Sequence, residues 1–314
     1  VILFQMKKIT MPSNKKLLLM GYVILAIMIV IIIVVFLNSQ DTVSSANSRT
    51  VPWRHIHGLG IEPADRTILY IATHGDFYHS HNGDPPFKVD IQRADYMAFN
   101  APPTIGIPLY ASGHPSTGGN TGLIKSLDGG QSWERVATIL DPPVDFHAMT
   151  VSKSNPNIII GFDSGGRVLF KTTDAGITWE TLQYPEIVSA LVISPNDPNI
   201  VFAGTGKGIF VSNDGAKSWT QLGSYQGLLV FALTFDDEGV LYASVSNIGL
   251  SRSDELGKTW QNIKSPDLTV TSIAVDSKSK IIYVAGYPPE GFQEVYRSLD
   301  DGTTWQLIGT NKEL

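Results

Sequence analysis

No cysteine occurs anywhere in the chain. That absence removes disulfides, thiolate nucleophiles and cysteine-ligated zinc or iron–sulfur centres in one step. Positive charge is also short: the 314 residues carry 23 basic and 29 acidic side chains, a formal charge of −6. Four of those basic groups (Lys7, Lys8, Lys15 and Lys16) fall within residues 1–40, which hold no acid. The remainder therefore sets 19 basic against 29 acidic side chains, or −10. A surface that acidic lacks the electrostatic footprint for nucleic acid, and that partner class is excluded. Disorder is excluded as well, because 43% hydrophobic and 17% charged residues are ordinary for a folded chain. Without disulfides, stability must rest on the core, and a closed domain of roughly 260 residues buries enough surface for that.

One uncharged run stands out, the 21 residues from Leu17 to Leu37. At ~1.5 Å per residue it reaches about 31 Å, the thickness of a bilayer's hydrocarbon layer. A cleaved signal usually has an apolar stretch of only ~7–15 residues, so the run reads as a retained anchor. Ser44-Ser45-Ala46, the cleavage point of the alternative reading, lies several residues beyond it. The lysines ahead of the run place the N-terminus in the cytoplasm. The expected organisation is a cytoplasmic segment 1–16, a transmembrane helix 17–37, a polar flexible linker 38–51, and a domain 52–314 outside the cytoplasm at the cell membrane. Since Val1 heads the sequence, Met6 or Met11 is the expected natural start.

The domain itself is repetitive. Five segments share one pattern and each ends in tryptophan: Ser126–Trp133, Thr172–Trp179, Ser212–Trp219, Ser253–Trp260 and Ser298–Trp305, with tryptophans 46, 40, 41 and 45 residues apart. This period points to propeller blades of four strands each, or to some other repeat array. A hydroxyl at the first position and a carboxylate at the third (Asp128, Asp174, Asp214, Glu255 and Asp300) can accept backbone N–H groups within a turn. Glycine at the fifth supplies a backbone angle other residues resist. The tryptophan then buries a large ring at the start of the next strand. Ala216 in place of that glycine and Glu255 in place of aspartate are departures expected to cost some local stability.

This turn resembles the Asp box, or BNR repeat, of sialidases, sortilin-type receptors, some xyloglucanases and photosystem assembly propellers. Its acids are expected to be structural. A further resemblance rests on His55-Ile56-His57-Gly58-Leu59-Gly60, Ser112-Gly113-His114-Pro115, Asp145-Phe146-His147-Ala148 and Gly161-Phe162-Asp163-Ser164. Together these are similar to a bacterial family labelled glycosylhydrolase. The resemblance covers roughly residues 52–310 and implies an all-β propeller, preceded here by the one transmembrane helix.

Blade counting follows from the strand pattern. Between Val188 and Leu222, strands are expected at 189–194, 200–204, 208–212 and 219–222, with Asn196-Asp197-Pro198 turning the first pair. The same layout fits 95–138, 145–183, 228–264 and 269–310. A sixth unit starts at His55, where His81-Asn82-Gly83-Asp84 replaces the tryptophan-ended turn. Six units of about 43 residues make a six-bladed ring, which also protects strand edges.

Strand direction then sorts side chains between the two ends of the ring. His55, His57, His74, His114 and His147 are expected at one mouth of the central channel, with Asp76, Asp145 and Asp163 beside them. Three readings stay open: local backbone satisfaction, a ligand pocket of imidazoles and carboxylates, or a divalent metal held by His and Asp. Asp76, Asp145 and Asp163, with Glu290 on the same face, are the candidate catalytic acids of a glycosidase, which needs two carboxyl groups at a set separation. The scattered arginines and the missing arginine–isoleucine–proline segment argue against a sialidase. The expected function is a membrane-anchored propeller binding a protein or glycan through its histidine-bearing face. The alternative is a glycoside hydrolase-like enzyme acting on extracellular glycans, with metal assistance as one variant.

Overall fold

The computed structural model describes residues 49–312 apart from Pro103. The expected transmembrane helix 17–37 lies outside the described residues, and among the described residues no helix is long and apolar enough to cross a membrane. The described residues form 24 strands, numbered β1 to β24 in order, in six four-stranded antiparallel sheets. Each sheet uses four consecutive strands, so each is one blade. In the fourth blade, β13 (Val188–Ile193), β14 (Val201–Thr205), β15 (Gly208–Ser212) and β16 (Thr220–Gln221) fall within about a residue or two of the expected runs.

The innermost strands are β1 (Ile56–Ile61), β5 (Ala94–Asn100), β9 (Phe146–Val151), β13, β17 (Val230–Phe235) and β21 (Thr269–Asp276). Each packs against the next, and β21 packs back on β1, which closes the ring. The core is correspondingly divided. Six hydrophobic clusters each join two neighbouring blades, because alternate side chains of a strand face opposite neighbours. On β13, Leu191 and Ile193 pack toward the third blade, while Val192 packs toward the fifth.

The cluster between blades six and one holds Val51, Trp53, Leu69, Tyr283 and Ile308, so the ring closes through a buried apolar seam. Burying side chains of this size contributes roughly 1.5–3 kcal/mol each. Backbone pairing reinforces it: Val51 donates to the Thr310 carbonyl (2.7 Å), and Thr310 to that of Arg49 (2.8 Å), so residues at the end of the expected linker run beside β24 (Gln306–Thr310).

The tryptophan-ended turns bond as their sequence suggests. Ser126 Oγ accepts from Gly130 N–H (2.9 Å), and Asp128 accepts from the N–H and hydroxyl of Ser132 (2.9 and 2.5 Å). The turns at Thr172, Ser212 and Ser298 repeat this scheme, whereas Glu255, one methylene longer, takes the hydroxyl of Thr259 (2.8 Å). Both the fourth and fifth turn positions adopt positive φ. Ala216 (φ 72°) accepts that strain and keeps its N–H bond to Ser212 Oγ at 2.9 Å. A Cβ on Gly130 would come within 2.3 Å of the Phe77 ring in the preceding blade, so the turn glycine also permits blade-to-blade packing.

Candidate functional site

The mouth at the start of the innermost strands is built by a recurrent irregularity. In five of the six blades a β-bulge leaves one residue unpaired beside the first rung: His57, His147, Ser189, Phe231 and Thr271. A bulge bends its strand and re-aims a side chain. His57 and His147 thus occupy equivalent places two blades apart. In the second blade the irregularity lies deeper, near Ala98, and Asp95 sits in regular register opposite His114.

Glycines hold this register tight. A Cβ on Gly58 would lie 2.9 Å from the Cβ of Phe99, and one on Gly60 2.3 Å from that of Ala101, so these two residues let β1 lie against the second blade. Gly113 (φ 121°) passes so close to Asp95 that a Cβ would meet its carbonyl oxygen at 2.2 Å. Gly161 makes room for the Phe146 ring in the same way.

Asp95 is the hub, and it was not among the residues expected from sequence. It is nine-tenths buried. Its Oδ2 faces His74 Nδ1 at 3.0 Å and His114 Nδ1 at 3.4 Å, while its Oδ1 lies 2.8 Å from His57 Nε2. Burial alone would raise this carboxyl. The short contact with His57 and its charge, then His114 and His74, bring it down to about 2. An ionised carboxylate only accepts, so the nitrogen His74 turns toward it carries the proton. The His57 contact is short yet misaligned, leaving His57 Nε2 and Asp95 Oδ1 buried without a proper hydrogen bond.

The other expected residues separate into groups. His55 is exposed, with its ring stacked on His74 (centroids 5.1 Å apart) and edge-on to His57 (4.7 Å). Burial of its nitrogens and then the charges of His57 and His74 lower its pKa. Asp145 lies 2.8 Å from His147 Nε2 and 3.4 Å from His114 Nε2, and the hydrogen bond that His147 donates to Asp145 is the main cause of a raised His147 pKa. Asp163 serves the backbone, accepting from the N–H of Asp145 (2.9 Å) and of Gly166 (2.7 Å). Asp76 pairs with Lys88 and with Arg93 (3.4 Å) rather than with an imidazole. Glu290 is exposed in the loop after β22 (Ile281–Tyr287). The two remaining histidines lie on β3 (Phe77–His81), where His79 Nε2 meets the Gly129 carbonyl at 2.6 Å.

Chemically the mouth offers imidazole lone pairs and anionic oxygens more readily than a paired acid and base. Asp95 and Asp145 flank the two nitrogens of one ring, so His114 stands between the two carboxylates. A raised acid does exist in Asp90, pushed up by burial, but its oxygens take the N–H of Phe77 and the hydroxyl of Tyr96, both at 3.0 Å. Below the mouth the channel encloses a cavity of about 200 Å³ between the innermost strands.

No family model matches the chain. It is 24% identical over 339 residues to the oligoxyloglucan-reducing end-specific xyloglucanase of Emericella nidulans, covering 87% of this chain and 40% of that protein. The chain therefore spans about 40% of that relative's length. Among solved structures, a GH74 enzyme of Niastella koreensis superposes with a TM-score of 0.59 at 17% identity, over 83% of this chain and 46% of that one. A streptogramin B lyase superposes with a TM-score of 0.55 at 15% identity, over 84% and 85%. The chain is an all-β, six-bladed propeller similar in fold to GH74 enzymes and to streptogramin B lyase, and similar in sequence to xyloglucanases.

Proposed function

We propose that this chain is a glycan-binding propeller of the Asp-box type, anchored through residues 17–37 and displayed outside the cytoplasm, which takes its ligand over the histidine-bearing mouth. The observation that carries the reading is the convergence of five imidazoles with Asp95 and Asp145 at one end of the channel. Such a rim presents donors and acceptors at spacings that suit sugar hydroxyls. The likeness to a xyloglucanase favours a glycan over a protein as the ligand. The hydroxyl-to-carboxylate bonding of the tryptophan-ended turns supports naming them Asp boxes. The uncharged run with lysines ahead of it supports the anchor.

A second reading, hydrolysis of extracellular glycans, draws on the same relative. It is disfavoured by the engagement of the candidate acids: Asp163 with backbone, Asp76 with cations, and Asp145 with imidazoles. Both are tested with xyloglucan oligosaccharides. The purified full chain should bind them without releasing new reducing ends, and intact cells displaying it should bind until treated with external protease. His114→Ala and His147→Ala should each weaken binding roughly tenfold, the worth of about one hydrogen bond. Turnover would replace the first reading with the second; unchanged affinity in both variants would remove the mouth as the site.

A further inference from the structure

We propose that His55, His57 and His74 form a binding site for one divalent transition-metal ion of the zinc type, with Asp95 as the residue that positions them. One nitrogen from each ring lies within 4.8 Å of the other two. Three nitrogens around a tetrahedral ion at ~2.0–2.1 Å stand ~3.3 Å apart, so the rings need to close by at most about 1.5 Å. Side-chain rotation supplies a movement of that size without the backbone.

The surroundings point the same way. His74 Nδ1 faces Asp95 Oδ2 at 3.0 Å, and the neutral tautomer that donates there keeps a lone pair on Nε2. A carboxylate behind a ligating imidazole is the usual outer partner of a metal site, because it fixes the tautomer and raises ligand basicity. At the base of the cluster, His57 Nε2 and Asp95 Oδ1 are buried and close but not aligned. The carboxylate is therefore poised behind two rings, and one of its contacts improves if the His57 ring turns. Imidazoles select zinc, copper, nickel or cobalt, whereas calcium and magnesium require oxygen ligands. His55 is exposed and His74 is 38% exposed, so the ion's remaining position opens to the mouth. This site stands independently of the glycan reading, since metal alone is the probe.

The full chain, stripped with EDTA and dialysed, is titrated with Zn²⁺ by calorimetry and with Co²⁺ by visible absorption. One ion per chain is expected, with the absorption of a four-coordinate cobalt centre. His55→Ala, at an exposed position that the fold tolerates, should weaken Zn²⁺ binding at least tenfold, as should His74→Ala. Asp95→Asn should weaken it roughly 10–100-fold while leaving the stoichiometry at one, the signature of a partner acting through its ligand. His79→Ala, on the outer part of the first blade, should bind as the parent does. No binding by the parent chain, or parental affinity in His55→Ala, overturns the site. Loss in His79→Ala equal to that in His55→Ala would also overturn it, by tracing the binding elsewhere.

Discussion

The two ends of the central channel solve the same electrostatic problem with different side chains. At the far end, Lys153 reaches the Phe235 carbonyl (2.7 Å) and Asp237 (3.4 Å), while Arg66 lies 3.5 Å from Asp237 and 3.9 Å from Asp276. Cations and anions there pair between different blades, and burial lowers the pKa of Lys153. At the near end, four imidazoles share Asp95 and Asp145, and a fifth, His55, stacks on His74. An imidazole that lacks an anion can release its proton near neutral pH; a guanidinium cannot. The far end is therefore tied together by ammonium and guanidinium groups, and the near end by imidazoles.

The sharpest way to break this contrast is to remove one carboxylate from each end. Asp237→Ala leaves Lys153 and Arg66 short of an anion, and should lower the unfolding free energy by roughly 2–4 kcal/mol in urea denaturation. Asp95→Asn, a swap to an amide of the same shape, should cost only about 1–2 kcal/mol at pH 8. Equal losses at pH 8 would erase the distinction.

A smaller effect isolates His147. Its folded pKa is raised by Asp145, so its stabilisation is complete below the ordinary imidazole value of about 6.5 and is lost as pH rises through the folded value. His147→Gln should flatten the stability profile over pH 6–8 by no more than about 0.5–1 kcal/mol, since the ring is 43% exposed and screened by water. A profile as steep as the parent's would assign the slope to another group.

The smallest effect concerns the far face, where the tryptophan-ended turns also lie; Gly215 N–H, for example, bonds the Asn199 carbonyl of a first-to-second strand turn (2.9 Å). Hydrogen bonds from Thr178 hold Asp174 at about 2, and those from Thr304 hold Asp300 at about 2. These depressed carboxyls stabilise the fold above about pH 4, a contribution lost as pH falls toward 2. Asp174→Asn should make the acid limb of the unfolding profile shallower by a small but measurable amount, read by tryptophan fluorescence. An unaltered limb would mean that the turns do not feel the proton.

How much of this was legible depended on whether the information was local. The turns were, because hydroxyl, carboxylate, glycine and tryptophan act within eight residues. The blade count followed from their period. The gathering of His55, His57, His74, His114 and His147 also followed, since alternating strand direction dictates the end at which each residue emerges. Asp95 escaped because its importance comes from register: it is marked by what Gly113 must avoid and by its place beside bulged His57, and neither is a motif. The far-end network escaped for a related reason. Lys153 and Asp237 belong to blades three and five, and meet only across a closed ring. Positive φ at the fourth turn position was hidden by its occupants, which include Ala175, Leu256 and Asp301 as well as glycine.

The seam between the last blade and the first has a mechanical corollary. Asn311 donates its side-chain amide to the carbonyls of Trp53 (3.2 Å) and Arg54 (2.9 Å), and Gln293 Oε1 receives the N–H of Ile56 at 2.5 Å. The clasp that fastens the circle therefore grips the peptide units on either side of His55. Replacing Asn311 would release the peptide units that flank His55, so the chemistry at this rim depends on the same contacts that latch the wheel.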